Sequence, residues 1–360
     1  MRETDQRILE FDPRTVMAWS VTLAVSIGFL VVGSNLLIPL AIAILLWSLL
    51  NAITGLFLRM PLAGRHMPRG LATTLAILSL LLLNVGVYQV LVSQADALRR
   101  AAPVYQQNFS RLAEGLSERL GIEAMPATGE LLANLDLGSL LSWVGGSVGS
   151  VLSDFVLIVI YVAFLLAEQH QLPTKISRLQ PDETEAMQLK NAVMDVSRQV
   201  QRYMWMKSLV SALTGFVSYL VLLWVGVDFA AVWGLLVFFL NFIPNIGSML
   251  AVAFPALLTL VQFDSLRPFV LVTVGLGATQ FVIGNVIEPA VMGRSLNLSS
   301  FMILFSLALW GSIWGIAGMF LSVPLMVVTA IVCSHFRELR WVAVMLSADG
   351  RLMTSRPEES

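Results

Sequence analysis

Apolar side chains fall along this chain in long runs rather than at isolated helical positions, and those runs set its architecture. Residues 16–32, 36–58, 71–92, 151–167, 209–225 and 268–287 each approach the length of one bilayer crossing, which takes roughly 20 residues at 1.5 Å per residue. Residues 230–262 and 302–333 are different: they hold 33 and 32 residues, about 1.5 times the length needed. Each also carries its helix breakers part-way along rather than at an end. The first is interrupted by Asn241-Phe-Ile-Pro-Asn-Ile-Gly-Ser248 and the second by Gly311-Ser-Ile-Trp-Gly-Ile-Ala-Gly318. Backbone that leaves the helix at membrane depth is tolerated only where protein or a water-lined cavity satisfies it. The pattern predicts two re-entrant helical hairpins, the plainer alternative being tilted helices kinked at proline. The fold class is therefore an all-α polytopic membrane protein with six to eight transmembrane helices, two broken or re-entrant hairpins and two polar amphipathic helical inserts.

The order of runs divides the chain. Residues 1–92 form a scaffold of three spans, in which 16–32 and 36–58 are expected to make a transmembrane hairpin about Gly33-Ser-Asn35. Residues 93–150 form an extracytoplasmic insert, with an amphipathic helix marked by Leu98, Ala101, Tyr105, Phe109, Leu112, Leu116 and Leu120 and a Gly/Ser-rich lead-in over 138–149. Residues 151–167 cross back. Residues 168–207 form a cytoplasmic insert whose helix starts at Asp182, with Glu185 as a variant capping box, and whose stripe of Ala186, Leu189, Val193, Val196, Val200 and Tyr203 predicts helix packing within or between subunits. Residues 208–335 are the core with both broken runs, and 336–360 a cytoplasmic tail. The connector 59–69 carries three Arg and no acid, and with hairpins the Lys/Arg split is 17 inside against 5 outside, which puts both termini in the cytoplasm.

Composition sharpens this without changing it. The chain is 57% hydrophobic and 12% charged, about half the charge of a soluble domain, and residues 230–333 carry only Asp264, Arg267, Glu288 and Arg294. Membrane lipid is thus a necessary partner. A net charge of -1 leaves no electrostatic footprint for nucleic acid. The single Cys333 excludes an internal disulfide and a Cys-based metal site, and His66, His170 and His335 are too dispersed to form a ligand cluster. No phosphate loop, serine-elbow or zinc-protease pattern is present, so neither an enzyme nor a cofactor is expected.

What remains is polar chemistry at the breaks. Pro244 removes an amide donor and Gly247 permits a tight turn, leaving carbonyls and amides beside Asn241, Asn245 and Ser248. Gly311, Ser312 and Gly315 play the corresponding part in the second run, although Gly311 and Gly315 also form a close-packing GxxxG pattern. The span 268–287 adds Gln280 and Asn285 and ends at Glu288, either an ion- or proton-coupling carboxylate or an interfacial acid paired with Arg294. Paired broken segments are the best sequence pointer to a transporter's binding site. Small polar solutes and monovalent cations are the candidate ligands.

Phe242-Ile-Pro-Asn-Ile-Gly247, Asn285-Val-Ile-Glu-Pro289, Gly293, Leu298, Trp310-Gly311, Gly315, Gly318 and Pro324 occur here in an order that resembles the autoinducer-2 exporter family of bacterial permeases, the PerM-like proteins. The resemblance covers most of the chain. It implies a secondary transporter of the bacterial inner membrane, two hairpins at the substrate path, and a homo-oligomer, as a pentamer. It also implies export of a small furanosyl signal, autoinducer-2, or, in other branches, sodium or lithium exchange for protons, here at Glu288. Ser248 and Ser300 stand where the family commonly has proline. A non-transporting membrane scaffold is the alternative of another class.

Overall fold

The computed structural model describes residues 13–62, 65–120, 155–169, 171, 174–175, 183–292 and 297–351. The Gly/Ser-rich lead-in, the Asp182 cap, Arg294 and residues 352–360 of the tail lie outside those residues, as do the side chains of Leu98, Phe109, Leu112, Leu116 and Leu120. The described chain is helical apart from short connections and one two-residue antiparallel pair, β1 (Pro61–Leu62) with β2 (Arg65–His66), in the basic connector.

Helix α1 (Pro13–Val32) leads into α2 (Ser34–Arg59) through Gly33 alone. The helical ladder is interrupted at that residue. Gly33 N closes α1 by donating to Phe29 O at 2.8 Å, and Gly33 O opens α2 by accepting Leu36 N at 3.0 Å and Leu37 N at 2.9 Å, so the residue is the last donor of one helix and the first acceptor of the next. Helix α1 is also tied to Trp314, whose indole donates to Leu30 O at 2.9 Å.

Helix α3 (Arg69–Leu120) is continuous for 52 residues, about 78 Å. The boundary expected at residue 93 is a change of solvent, not of backbone: Ser93-Gln-Ala-Asp-Ala-Leu-Arg-Arg contains no helix breaker, and Pro103 costs one ladder bond without stopping the helix. Its apolar window, Arg69–Gln94, is only 6% buried, which suits a helix facing lipid. The apolar helix Phe155–Glu168 is α4, joined to α2 by the Trp47 indole donating to Gln169 Oε1 at 3.1 Å.

Helix α5 (Glu183–Val225) likewise erases the expected boundary at residue 207, running 43 residues from polar insert through the span. The later part of its stripe is covered within this chain. Val200, Tyr203 and Met204 pack with Leu321, Met326, Val327, Ala330 and Ile331 in the main core, and Val196 lies against them.

Both long runs fold back on themselves. In the first, α6 (Ala230–Leu240) and α7 (Ile246–Gln262) flank the tip 241–245, where Asn245 takes φ +60°. The base is clasped: Asp228 N donates to Gln262 Oε1 at 2.9 Å and Gln262 Nε2 to Gly226 O at 2.9 Å. The far part of α3 holds that base, through Tyr105 Oη to Asp228 Oδ2 at 2.5 Å and Asn108 Nδ2 to Val261 O at 2.9 Å. Burial, and then the Asp228 carboxylate, push the Tyr105 phenol well above its ordinary range. Helix α8 (Leu266–Val282) passes through a π-helical turn, Ile283–Ile287, into α9 (Glu288–Met292).

The second run, α10 (Ser300–His335), breaks at Gly315 (φ +60°, ψ −139°), and its arms meet where Ser306 Oγ donates to Ser322 O at 3.0 Å. Its own base lies at the opposite end of the molecule. His335 Nε2 sits 3.4 Å from Asp195 Oδ2, and Asp195 precedes Val225, beside the first base, by 30 residues of α5, about 45 Å. The two hairpins therefore enter from opposite ends and overlap near the middle, where the Phe242 and Phe320 rings lie 4.8 Å apart. Helix α11 (Arg340–Leu346) closes the His335 end, with Ser299 N donating to Leu346 O at 2.9 Å.

Five helical stretches, Ser34–Arg59, Arg69–Gln94, Leu189–Val225, Leu266–Met292 and Ser300–His335, are long and apolar enough to cross a membrane, and shorter apolar helices accompany them. The fifth uses its length on the fold-back at Gly315.

Candidate functional site

A cavity of about 570 Å³ opens where the first hairpin tip meets α5 and the π-helical turn. Asn241, Pro244, Asn245 and Ser248 reach it from the tip, Gln280, Asn285 and Glu288 from α8 and beyond, and Tyr203 and Lys207 from α5. Phe242, Met249, Phe281, Met292, Ile303 and Val323 supply its apolar walls. Such a mixture, mostly apolar with a few convergent polar groups, is that of a small-molecule site.

Local backbone chemistry places each polar group. The tip cannot continue as helix because Pro244 lacks a donor, and Ile243 N closes it instead onto Leu240 O at 2.9 Å. Asn245 then takes φ +60° and ψ −58°, a γ-turn in which Ile246 N reaches Pro244 O at 2.6 Å, and starts α7, its carbonyl receiving Met249 N at 3.1 Å. Two residues on, Gly247 crosses the first arm so closely that a Cβ there would stand 1.8 Å from Leu240 O. Only glycine permits that approach. Asn241 Nδ2 donates to the buried Ser211 Oγ at 2.9 Å, which ties the tip to α5.

The π-helical turn carries one extra residue per turn, and such bulges gather at functional sites. Here it presents Gly284 and Asn285 to the same cavity, and Glu288 follows it at the start of α9. Asn285 Nδ2 is used locally, on Phe281 O at 3.1 Å. Glu288 Oε1 accepts from Lys207 Nζ at 2.5 Å, the two side chains being 23% and 10% exposed.

Seven of the residues expected from sequence line this one cavity: Asn241, Pro244, Asn245, Ser248, Gln280, Asn285 and Glu288. Gly247 supports the turn behind them. Gly311, Ser312 and Gly315 are not among the lining residues. Gly311 backs onto Met319, Ser312 Oγ donates to its own helix at Leu309 O at 2.8 Å, and the neighbouring Trp314 is bonded to Leu30. The second hairpin meets the cavity through the apolar Ile303 and Val323 instead.

Lys207 and Tyr203 were not legible as site residues. They lie 81 and 85 residues before Glu288, in a segment that sequence assigns to a polar insert. The available signal was a lone cation inside Tyr203-Met-Trp-Met-Lys-Ser-Leu-Val210, with apolar sequence on both sides. Among the described residues no group of His, Cys, Asp and Glu could hold a metal ion.

Residues 20–338 match the profile of the AI-2E family transporter family. The AI-2 transport protein TqsA of Escherichia coli (strain K12) is 31% identical over 321 residues, covering 88% of this chain and 90% of that protein. The protein YhhT of the same organism is 29% identical over 302 residues, covering 81% and 82%, and YueF of Bacillus subtilis (strain 168) is 25% identical over 318 residues, covering 82% and 83%.

Proposed function

This chain belongs to the AI-2E transporter family, and on that premise we propose that it is a secondary permease carrying a small polar solute through the cavity between Asn245, Lys207 and Glu288. One observation carries the reading: five amide and hydroxyl side chains, Asn241, Asn245, Ser248, Gln280 and Asn285, converge on one cavity in an otherwise apolar interior. A polar solute leaving water needs replacement hydrogen bonds, and unwound backbone with Asn and Gln beside it supplies them. The ion pair adds one donor and one acceptor with no net charge, which suits a neutral or zwitterionic solute. A cation antiporter needs Glu288 free to exchange its proton for the cation, and Lys207 already stands on that carboxylate. TqsA is named for AI-2 transport, so AI-2 is the first solute to test.

In proteoliposomes, Asn245→Leu is expected to lower solute flux about ten-fold or more at unchanged incorporation, the worth of one or two hydrogen bonds left unmade. Normal flux through both Asn245→Leu and Asn241→Leu would remove the cavity from the path. Immobility of AI-2 through the native protein would discard that solute.

The same proposal orients the molecule in a bacterial inner membrane. The basic connector 59–69 and the end bearing Arg337, Arg340 and Arg351 face the cytoplasm, and the Asp228 and Asp264 end faces out. In a Cys333→Ser background, Ser265→Cys should react with an impermeant maleimide in intact cells and Asp349→Cys only after permeabilisation. Both positions are exposed. The reverse labelling would invert the assignment.

A further inference from the structure

The cavity holds a full charge of each sign on the protein itself. Among its lining residues Glu288 is the sole carboxylate and Lys207 the sole cation, and they meet at 2.5 Å from different elements, the start of α9 and α5. Nothing local explains the ammonium. Lys207 sits one helical turn beyond the buried Tyr203, with the buried Met206 and Val210 beside it in sequence, and 81 residues from its partner. An amide or an apolar side chain at that position would fill the space without the desolvation that a buried cation suffers.

The surroundings of Glu288 suggest what the ammonium replaces. Oxygen-bearing side chains from Asn241, Asn245, Ser248, Gln280 and Asn285 share the cavity with the carboxylate. Asn241 and Asn285 each give an amide N–H, to Ser211 and to Phe281, which anchors the two groups, and their carbonyl oxygens are the atoms that can receive a donor or a cation. One carboxylate with several neutral oxygens is the donor set that a hard cation takes, and a single negative charge matches a monovalent one. Unwound backbone next to such groups coordinates sodium in transporters with broken helices. In this chain the position against the carboxylate is filled by Nζ.

We propose that Lys207 is a tethered stand-in for a monovalent coupling cation: its ammonium permanently fills a sodium-type site at Glu288, so the native protein is sodium-independent and loss of Lys207 opens the latent site. This rests on the cavity being the solute path, and it makes Lys207 the residue that determines coupling. It also separates the two ionic modes available to such a cavity, since a chain without a cation at this position would leave the same carboxylate open to sodium.

The test uses the full chain in lipid nanodiscs, reading retention of radiolabelled sodium and the thermal midpoint in sodium chloride against choline chloride at equal ionic strength. The native protein and Lys207→Arg should retain no sodium above background and melt alike in both salts. Lys207→Met should retain at least ten-fold more sodium than the native protein and melt higher in sodium than in choline, and Lys207→Met with Glu288→Gln should lose both effects. Should Lys207→Met fold in sodium only, that too supports the proposal. Lys207→Gln, which keeps a hydrogen-bond donor beside Glu288, repeats the test in a gentler background. Sodium retention by the native protein overturns the proposal, as does a folded Lys207→Met or Lys207→Gln indifferent to sodium. So does failure of both variants to fold in either salt, because a bound sodium should restore the missing charge. None of these readouts needs flux, so unchanged transport by both Asn245→Leu and Asn241→Leu would dismiss the solute path while leaving the cation result to stand or fall separately.

Discussion

In sodium-free medium, Glu288→Gln alone and Lys207→Met alone should each cost about 3 kcal/mol of stability, while the two together cost much less than their sum. The reason is asymmetry. Forming a buried pair brings little net gain, because desolvation offsets the attraction, but removing one member strands the other charge in a medium that cannot solvate it. The expected cost sits near the lower end of the range for buried pairs, because Glu288 keeps 23% of its side chain exposed to the cavity while Lys207 keeps 10%. That difference ranks the singles: Glu288→Gln leaves the more enclosed charge stranded and should be the worse of the two. A double-mutant cycle from denaturation in mild detergent isolates the coupling, which should exceed about 1.5 kcal/mol. Singles that add to within about 0.5 kcal/mol would mean that water in the cavity screens the pair and that the two charges act independently.

The hairpins were legible because length and backbone chemistry spoke together. Runs of 33 and 32 residues with Pro244 and Gly247, or Gly315 and Gly318, part-way along have few other ways to sit in a membrane. Long continuous helices were not legible where polarity changes along them. At residues 93 and 207 the sequence passes between apolar and polar surroundings, yet α3 and α5 run straight through, since solvent preference and helix continuity are separate properties. Gly33 was legible as a joint: a Gly-Ser-Asn triplet is turn chemistry, and α1 ends and α2 begins on either side of its glycine. In the site, composition could nominate polar residues within apolar runs, and it nominated both tips alike. Which tip borders a cavity depends on neighbours that pattern does not encode: Ser211, Lys207 and the π-helical turn at the first, Met319 and α1 at the second. The Lys207 partnership had the same obstacle, because an ion pair across 81 residues leaves no trace in local spacing.

Gly247→Ala and Gly318→Ala should be the most damaging single-methyl changes in the protein, each lowering stability by at least about 3 kcal/mol, the upper end of overpacking. The two hairpins close by one device. Each has a tip residue at φ +60°, Asn245 or Gly315, followed within three residues by a glycine whose missing Cβ lets the second arm cross the carbonyl of the first. A Cβ would stand 1.8 Å from Leu240 O at Gly247 and 1.9 Å from Trp310 O at Gly318. Both obstacles are backbone, so no rotamer change relieves them and the arms must part by more than 1 Å to reach even 3.0 Å. Separation at Gly247 displaces Asn245 and Ser248 and should abolish solute flux in whatever protein survives. Separation at Gly318 instead breaks the Ser306 to Ser322 bond and loosens the core around Leu321 and Val327. Gly277→Ala is the control: it lies within α8 with nothing inside 4 Å of the added methyl, and should gain about 0.5–1 kcal/mol from reduced backbone entropy alone. Thermal midpoints and flux for the three variants decide it. If Gly247→Ala melts like Gly277→Ala, the arms of the first hairpin do not cross as described, and the placement of Asn245 in the cavity goes with them.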